Sequence, residues 1–416
     1  MFRRLFSFAD RRLLRKISQV TGRPPILLRL DNGATAAPPG QDAAYSLLIR
    51  SRLDALRLLL DPDVGFGEGY SSGAIRVGGE LVPLLESIYE AARRAPPPGL
   101  GARLLSCYLD WIHRPTMRRA RRNIHHHYDL GTDFYRLWLD PELVYTCAYF
   151  PTPDASLEEA QIAKMDLVCR KLQLQPGEKV VEAGCGWGSL ALHMARHYGV
   201  TVKAFNISRD QIAYARRRAA AENLAGRVEF IEDDYRKIGG QFDAFVSIGM
   251  LEHVGKSNYK ALAGVIRNTI GSGGRGLLHF IGRSSPAPLS AWIRLRIFPG
   301  AYVPTIGESA RILEQGDYAI LDVENLRLHY ARTLERWLER YETSAARVAK
   351  MYDEEFVRAW RLYLAGSIAA FRNGTLQLFQ VLFAGRDSKR IPWTREVFYS
   401  PAPQAERAPQ WTTVMS

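Results

Sequence analysis

Val180-Val181-Glu182-Ala183-Gly184-Cys185-Gly186-Trp187-Gly188 is the stretch that decides the fold. An apolar strand over Lys179–Ala183 runs into a G-x-G-x-G loop, and a helical pattern over Ser189–Tyr198 follows. Glycines there let the backbone turn tightly and come close to a ligand. Outward from the loop, helix and strand patterns alternate. Leu157–Leu172 reads as a helix, with Ser156 as N-cap and Glu159 three residues on. Val200–Asn206, Val228–Ile231 and Phe242–Ile248 read as strands, with a helix over Asp210–Ala221. This βαβα order predicts an α/β fold with a doubly wound, Rossmann-like parallel sheet. Ligands of such sheets bind beyond the carboxyl ends of the strands, at the topological switch point.

The loop is not G-x-G-x-x-G, and no GKS or GKT follows it, which disfavours a dinucleotide or a nucleoside triphosphate. An acid two positions before the first glycine, here Glu182, is typical of enzymes that use S-adenosylmethionine. Its carboxylate can reach the polar groups of the methionine moiety. Gly184, Gly186 and Gly188 are the loop's cofactor candidates. Asn206 and Gln211, after the second strand, can contact the amino acid or ribose portion. Asp234 can meet the adenine amino group, with the Tyr235 ring beside its face. The reading is an S-adenosylmethionine-dependent methyltransferase core; the plain alternative is a structural turn in some other α/β domain. Gly249–Gly255, after the fourth strand, contains no N/D-P-P-Y/F motif, which counts against methylation of a base amine.

The 416 residues leave room for two or three domains. Apolar residues make up 47% and charged residues 24%, so wholesale disorder is not expected. No apolar run reaches the ~18 residues needed to span a bilayer. The four cysteines (107, 147, 169, 185) form no C-x-x-C pair, so neither a disulfide scaffold nor a zinc knuckle is expected, and free thiols fit a reducing cytosol. His125-His126-His127 is no metal site, since successive side chains diverge. The net charge of +13 favours an anionic partner, either nucleic acid or a membrane face. Residues 1–20 form an amphipathic basic pattern that suits a helix on a membrane surface or one docked on its own domain. Residues 21–95 read as a small α/β unit. It has a strand over 24–30, a helix over Leu47–Leu60, a glycine-rich loop over Gly65–Tyr70, a strand at Ala74–Val77 and a helix over Leu81–Ala92. Residues 96–124 read as a basic linker, opened by Pro96-Pro97-Pro98-Gly99 and carrying Arg114, Arg118, Arg119, Arg121 and Arg122. These arginines suit anionic lipids or a solvated face. Residues 125–416 read as the catalytic domain.

Further motifs make a family resemblance visible. They are His126-His127-Tyr128-Asp129-Leu130-Gly131, Tyr145-Thr146-Cys147-Ala148-Tyr149-Phe150, Glu252-His253-Val254-Gly255, His279-Phe280-Ile281-Gly282 and His329-Tyr330-Ala331-Arg332-Thr333-Leu334. With the glycine loop, they resemble the cyclopropane-fatty-acyl-phospholipid synthase family and the related mycolic-acid methyltransferases. The resemblance covers nearly the whole chain, most strongly 123–384. Gly65–Ala92 resembles the small N-terminal domain of the phospholipid enzymes.

The resemblance implies methylene transfer from S-adenosylmethionine to the cis double bond of an unsaturated phospholipid acyl chain. The carbocation that forms then loses a proton to bound bicarbonate as the ring closes. Carried over by motif, the bicarbonate pocket is Cys147, Glu252, His279, Tyr330 and the backbone of Ile281, while Tyr145 and Thr146 join the cofactor site. A developing cation needs electron-rich walls and no water; Tyr128, Tyr149, Phe150, Phe280 and Phe298 are the channel candidates. Each residue also has a plain reading: Cys147 an inert buried thiol, His279 a satisfied core histidine, Glu252 a helix cap, Tyr330 a packing aromatic. Thr146 stands where serine is usual, Asn206 where threonine is, and Glu182-Ala183 where Asp-Ile is common. Phe280 takes the place of a smaller residue, which bears on product type.

Residues 283–305 mix Trp292, Ile293, Leu295, Ile297 and Phe298 with Arg294 and Arg296, and suit an acyl-channel wall or an insert covering the sheet. The resemblance further implies a homodimer on the anionic inner face of the cytoplasmic membrane, with no nucleic-acid partner and no metal. Methylation of the same alkene without ring closure, an RNA methyltransferase and a non-catalytic lipid-binding module are the alternatives.

Overall fold

Two sheets organise the chain, in a computed structural model that describes residues 2–38, 40, 42–94 and 130–399, with side chains from Phe8 onward. Tyr128, the histidines at 125–127, Cys107 and the basic segment at 96–124 lie outside the described residues.

The first sheet contains β1 (Ile26–Leu30), β2 (Thr35–Ala36), β3 (Tyr45–Ile49) and β4 (Ile75–Gly78), in the order β2-β1-β3-β4. β1 and β3 are parallel, and the other pairs antiparallel. Leu28, Leu30, Leu47 and Ile49 alternate onto its buried face. The expected helix over Leu47–Leu60 is thereby corrected. Residues 45–49 are strand, and the helix begins only at Arg52, where the Ser51 side chain caps Asp54 N. Leucines alone could not separate the two periods.

The glycine-rich stretch is a second correction. It is not a loop but a helix over Pro62–Ser71, with Asp61 as N-cap and Pro62 in the first turn. Its glycines provide closeness rather than a turn. A Cβ on Gly65 would lie 2.7 Å from the Arg57 carbonyl oxygen, and one on Gly67 2.3 Å from the Trp292 ring.

The N-terminal helix, Phe2–Val20, is docked. Leu14 and Ile17 are buried in the core, each worth about 1.5–3 kcal/mol. Asp10 accepts hydrogen bonds from Arg52 (2.6 Å) and Asn32 (2.7 Å). Leu14 and Ile17 are therefore taken up by the protein's own core, whereas Arg11, Arg12, Arg15 and Lys16 face solvent.

The second sheet is built from β5 (Lys179–Ala183), β6 (Thr201–Asn206), β7 (Val228–Glu232), β8 (Ala244–Ile248), β9 (Arg275–Gly282), β10 (Tyr318–Asn325) and β11 (Gln377–Gly385). The order is β10-β11-β9-β8-β5-β6-β7, with β11 antiparallel to both neighbours and the rest parallel. Every side chain of β8 is buried, as a strand covered on both faces requires. Helices Leu157–Lys171 and Ser189–Tyr198 cover one face, and Tyr259–Ile270 the other. The capping box at Ser156 and Glu159 is present. The order reverses between β5 and β8, which puts the switch point at the glycine loop.

The 283–305 excursion holds a short helix, Ala291–Arg296, and leans on the small sheet's helices. Trp292 fills the space beside Gly67, Asp63 accepts from Ser290 Oγ (2.7 Å) and Ala291 N (2.5 Å), and Arg296 pairs with Glu68. One apolar cluster runs from Leu14 and Leu28 through Leu84 to Tyr330 and Trp360, so the two units share a core.

Candidate functional site

Two cavities meet at Tyr145, Thr146, Gly249 and His253, which line both. The first has a volume of about 640 Å³ and lies at the carboxyl ends of β5, β6 and β8. Glu182, Gly184, Gly186, Asn206 and Gln211 line it, together with Glu232, Asp210, Met250 and Lys164. Asn206 Nδ2 donates to Gln211 Oε1 (2.6 Å) and to the Gly186 carbonyl (3.2 Å), which fixes two strand-end amides against the loop.

Gly188 has a different task from the one expected. It is left-handed (φ 88°) and lines neither cavity. A Cβ there would lie 2.5 Å from the Phe230 ring and 2.9 Å from the Ala215 Cβ, so it packs helix onto strand. Asp234 and Tyr235 also stand outside the cavity. Asp234 caps the turn that follows β7 and pairs with Arg236 at 2.7 Å, while Tyr235 packs with the Tyr259–Ile270 side of the sheet.

Lys164 is a site residue that the sequence does not single out. It is 2% exposed, sits on the Leu157–Lys171 helix and donates from Nζ to Thr146 Oγ1 at 3.1 Å. Burial pushes the Glu182 carboxyl up and the Lys164 ammonium down, and each group's opposite charge moderates the other. One Glu182 oxygen is buried without a hydrogen-bond partner. That orphaned acceptor, at the rim of a glycine-lined cavity, fits the cationic methionine end of S-adenosylmethionine. A Lys on a helix pattern gives no sign that it turns inward, so only the fold reveals it.

The second cavity, about 440 Å³, is mostly apolar. Glu252, Ile281, Tyr330 and Phe298 line it from the large sheet's side, and Phe66, Leu85 and Tyr89 from the small domain. Glu252 is 5% exposed. Its Oε1 accepts from the Ile281 N–H at 2.6 Å, and Oε2 has no partner. Burial lifts this carboxyl to about 7, with the Ile281 N–H pulling the other way. The Ile281 amide, expected to face a bound anion, is thus already engaged by Glu252.

His279 points to the same side of β9 as Ile281. Its Nδ1 lies 3.0 Å from Gln380 Nε2, and Nε2 is buried without a partner. Burial and the charges of Lys164 and Lys171 hold its pKa well below the usual imidazole value. With Gln380 donating to Nδ1, the neutral ring carries its proton on Nε2. Gln380, which matches a glutamine of the family that the sequence leaves without a role, thereby gains one.

His279 itself lines neither cavity, and the remaining candidates are not gathered here either. Cys147 lines neither cavity; its thiol donates to the Ala148 carbonyl (3.1 Å), and burial pushes its pKa up. Phe280 is a correction. Strand alternation turns it to the opposite face of the sheet, where it is fully buried against Phe379. Tyr149 and Phe150 stack on His329 at 4.8 and 6.4 Å and also line neither cavity. Among the described residues no cluster has a metal-binding set.

A doubly wound sheet with a glycine loop and an acid at its switch point defines the class: an S-adenosylmethionine-dependent methyltransferase. The solved structure of the mycolic acid cyclopropane synthase CmaA1 complexed with SAH and CTAB is similar, at 31% identity and a TM-score of 0.60. The match covers 63% of this chain and 97% of that one. Residues 116–381 match the mycolic acid cyclopropane synthetase family, and the chain belongs to it. A probable fatty acid methyltransferase of Pseudomonas putida is 39% identical over 288 residues, covering 66% of this chain and 73% of the relative. The cyclopropane-fatty-acyl-phospholipid synthase of Escherichia coli K12 is 39% identical over 259 residues, covering 62% and 66%.

Proposed function

We propose that the protein adds a methylene unit to the cis double bond of an unsaturated phospholipid acyl chain and closes a cyclopropane ring. The observation that carries this is the junction of the cavities. A polar, glycine-lined chamber opens beside an apolar one at Tyr145 and Thr146, and a buried carboxyl with a free oxygen, Glu252, stands in the apolar one.

Bound S-adenosylmethionine supplies an electrophilic methyl on a cationic sulfur. The chain's residues do the rest. Glu182, Asn206, Gln211 and the loop backbone bind the donor, and Lys164 holds the Thr146 hydroxyl at the junction. Tyr145, Tyr330 and Phe298 exclude water and face a developing cation with electron-rich rings. The alkene's electron pair forms the new C–C bond as the C–S bond breaks, and a proton lost from the added carbon lets the ring close. Glu252 Oε2, an acceptor without a partner on the wall of the apolar chamber, suits a small hydroxylated anion, bicarbonate, which would supply the base there, and His279 Nε2, a buried donor without a partner that lines neither cavity, is the candidate second contact.

We further infer a peripheral site of action, on anionic phospholipid at the inner face of the cytoplasmic membrane, with the chain as a homodimer. The exposed Arg11, Arg12, Arg15 and Lys16 support the membrane part of this reading, each basic residue near such a surface being worth about 1 kcal/mol. Among the described residues no helix is long and apolar enough to cross a membrane. Changing the three arginines to Gln is expected to weaken binding to anionic vesicles; undiminished binding would remove this face from the account.

Mass spectrometry of vesicle lipids tests the central reaction. A gain of one CH2 that survives hydrogenation sparing cyclopropanes is expected. The probable fatty acid methyltransferase relative favours a second reading, methyl or methylene branching, whose product hydrogenation would change.

A further inference from the structure

Arg283 stands just past β9, two residues beyond Ile281 and on the same side of the chain. It lines the apolar cavity. Its backbone N–H donates to the Pro304 carbonyl (2.9 Å), and its Nη1 to the Pro288 carbonyl (2.9 Å). Its Nε is buried with no partner, and among the described residues no carboxylate forms an ion pair with it. Asp63, which lines the same cavity, is already taken by Ser290 Oγ and Ala291 N. The ionisable groups that act on the guanidinium are the phenols of Tyr89, on the Leu81–Arg94 helix, and Tyr302, in the 283–305 excursion.

Arg283 is half-buried: its Nη1 bond to Pro288 lies at the surface while Nε is enclosed, so the guanidinium stands at the edge of the apolar chamber with one donor left open. A buried donor left unmade costs about 1–3 kcal/mol, and more when it is charged. A ligand that bonds to this open donor would offset that cost. The ligand's complement is an oxyanion, because a planar cation with open N–H groups matches phosphate or carboxylate oxygens. The backbone positions of Ile281 and Arg283 are about 6–7 Å apart at strand rise, and the arginine side chain extends the reach. Glu252, bonded to Ile281 N–H, and Arg283 thus mark two fixed points along one apolar chamber.

We propose that Arg283, flanked by Tyr89, binds the phosphodiester of the substrate phospholipid, and so sets how far the acyl chain enters and which double-bond position reaches Glu252. This rests on the lipid-modifying function proposed above.

The test compares wild type, Arg283→Gln and Arg283→Lys, as full-length chains. Soluble dioctanoylphosphatidylglycerol gives a Kd by calorimetry without any turnover. Vesicles of phosphatidylglycerol with Δ9 or Δ11 cis-monoenoic chains give KM and the ratio of the two rates. Free oleate serves as the carboxylate source. Arg283→Gln is expected to weaken the calorimetric Kd and raise KM at least tenfold, and to level the Δ9/Δ11 ratio. SAH binding should be unchanged, and Arg283→Lys should recover part of the loss. Unchanged Kd, KM and ratio in a variant that still binds SAH would overturn the proposal, as would a loss confined to oleate. Arginine-dependent lipid binding with no product from wild type on any lipid would uphold the subsite and overturn the reaction instead.

Discussion

The two cavities are built in opposite ways. The donor chamber is local: most of its wall comes from the ends of β5, β6 and β8 and the turns that follow them. The lipid chamber is assembled from afar, by β9, the 283–305 excursion, the Arg327–Met351 and Glu354–Asn373 helices, and two helices of the small domain. A strand-end site is held by the sheet's own hydrogen bonds. An assembled site depends on apolar packing between units, so it is the easier of the two to alter without unfolding the protein.

Glu252→Gln sharpens that contrast most. The amide keeps the acceptor for Ile281 N–H but loses the carboxylate. Product formation is expected to fall about 10²–10⁴-fold, the range for a lost proton-transfer group. SAH binding, measured by calorimetry, should stay within about twofold. Turnover close to wild type would remove Glu252 from the chemistry.

Gly67→Leu attacks the lipid chamber from the small domain. The new side chain has no space against Trp292, and overpacking costs about 1–3 kcal/mol. Lipid turnover should drop by one to two orders of magnitude while SAH affinity holds. If turnover survives, the small domain is not a wall of the working chamber. Behind the donor chamber, where it packs helix onto strand, Gly188→Val would do the reverse, lowering the melting temperature and SAH affinity together, because its left-handed backbone and its contact with Phe230 both exclude a side chain.

Legibility followed the same division. The donor site could be read because its residues are consecutive and its turn needs glycine: Gly184 and Gly186 line the cavity as the loop motif suggests. Asn206 and Gln211 followed from the strand end. The helix at Pro62–Ser71 looks like a loop in the sequence because glycine marks both turns and close packing, and only Trp292, more than two hundred residues away, distinguishes them. Phe280 is misplaced by its motif because a motif does not state which face of the sheet each residue takes. The sequence assigns no role to Lys164 or Gln380, since their partners, Thr146 and His279, come from other elements.

The carboxyl of Glu252 also leaves a mark on stability. Its folded value of about 7 exceeds the ordinary 4.5, so the folded chain holds this proton more tightly than the unfolded chain. Stability from this group is therefore full below pH 4.5, declines as pH rises towards 7, and stays low above it. The whole difference is roughly 3 kcal/mol at most. Glu252→Gln cannot titrate. Its melting temperature relative to wild type should climb between pH 4.5 and 7 and then level off, and a constant offset across that range would contradict the buried carboxyl.

Lys164→Met is the smallest expected effect and separates the chambers most cleanly. The substitution keeps most of the volume and removes the donor to Thr146 Oγ1 and the cation that moderates Glu182. Glu182 then loses its nearest opposite charge and is driven further towards its neutral form, which is the wrong form for a cationic ligand. SAH and S-adenosylmethionine affinity should fall about tenfold, equivalent to about 1.4 kcal/mol. The loss should shrink as pH rises and Glu182 ionises again, whereas the KM for lipid should not move. An equal fall in lipid affinity would mean that Lys164 supports the shared wall at Tyr145 and Thr146 rather than the donor, and the two chambers would have to be treated as one site.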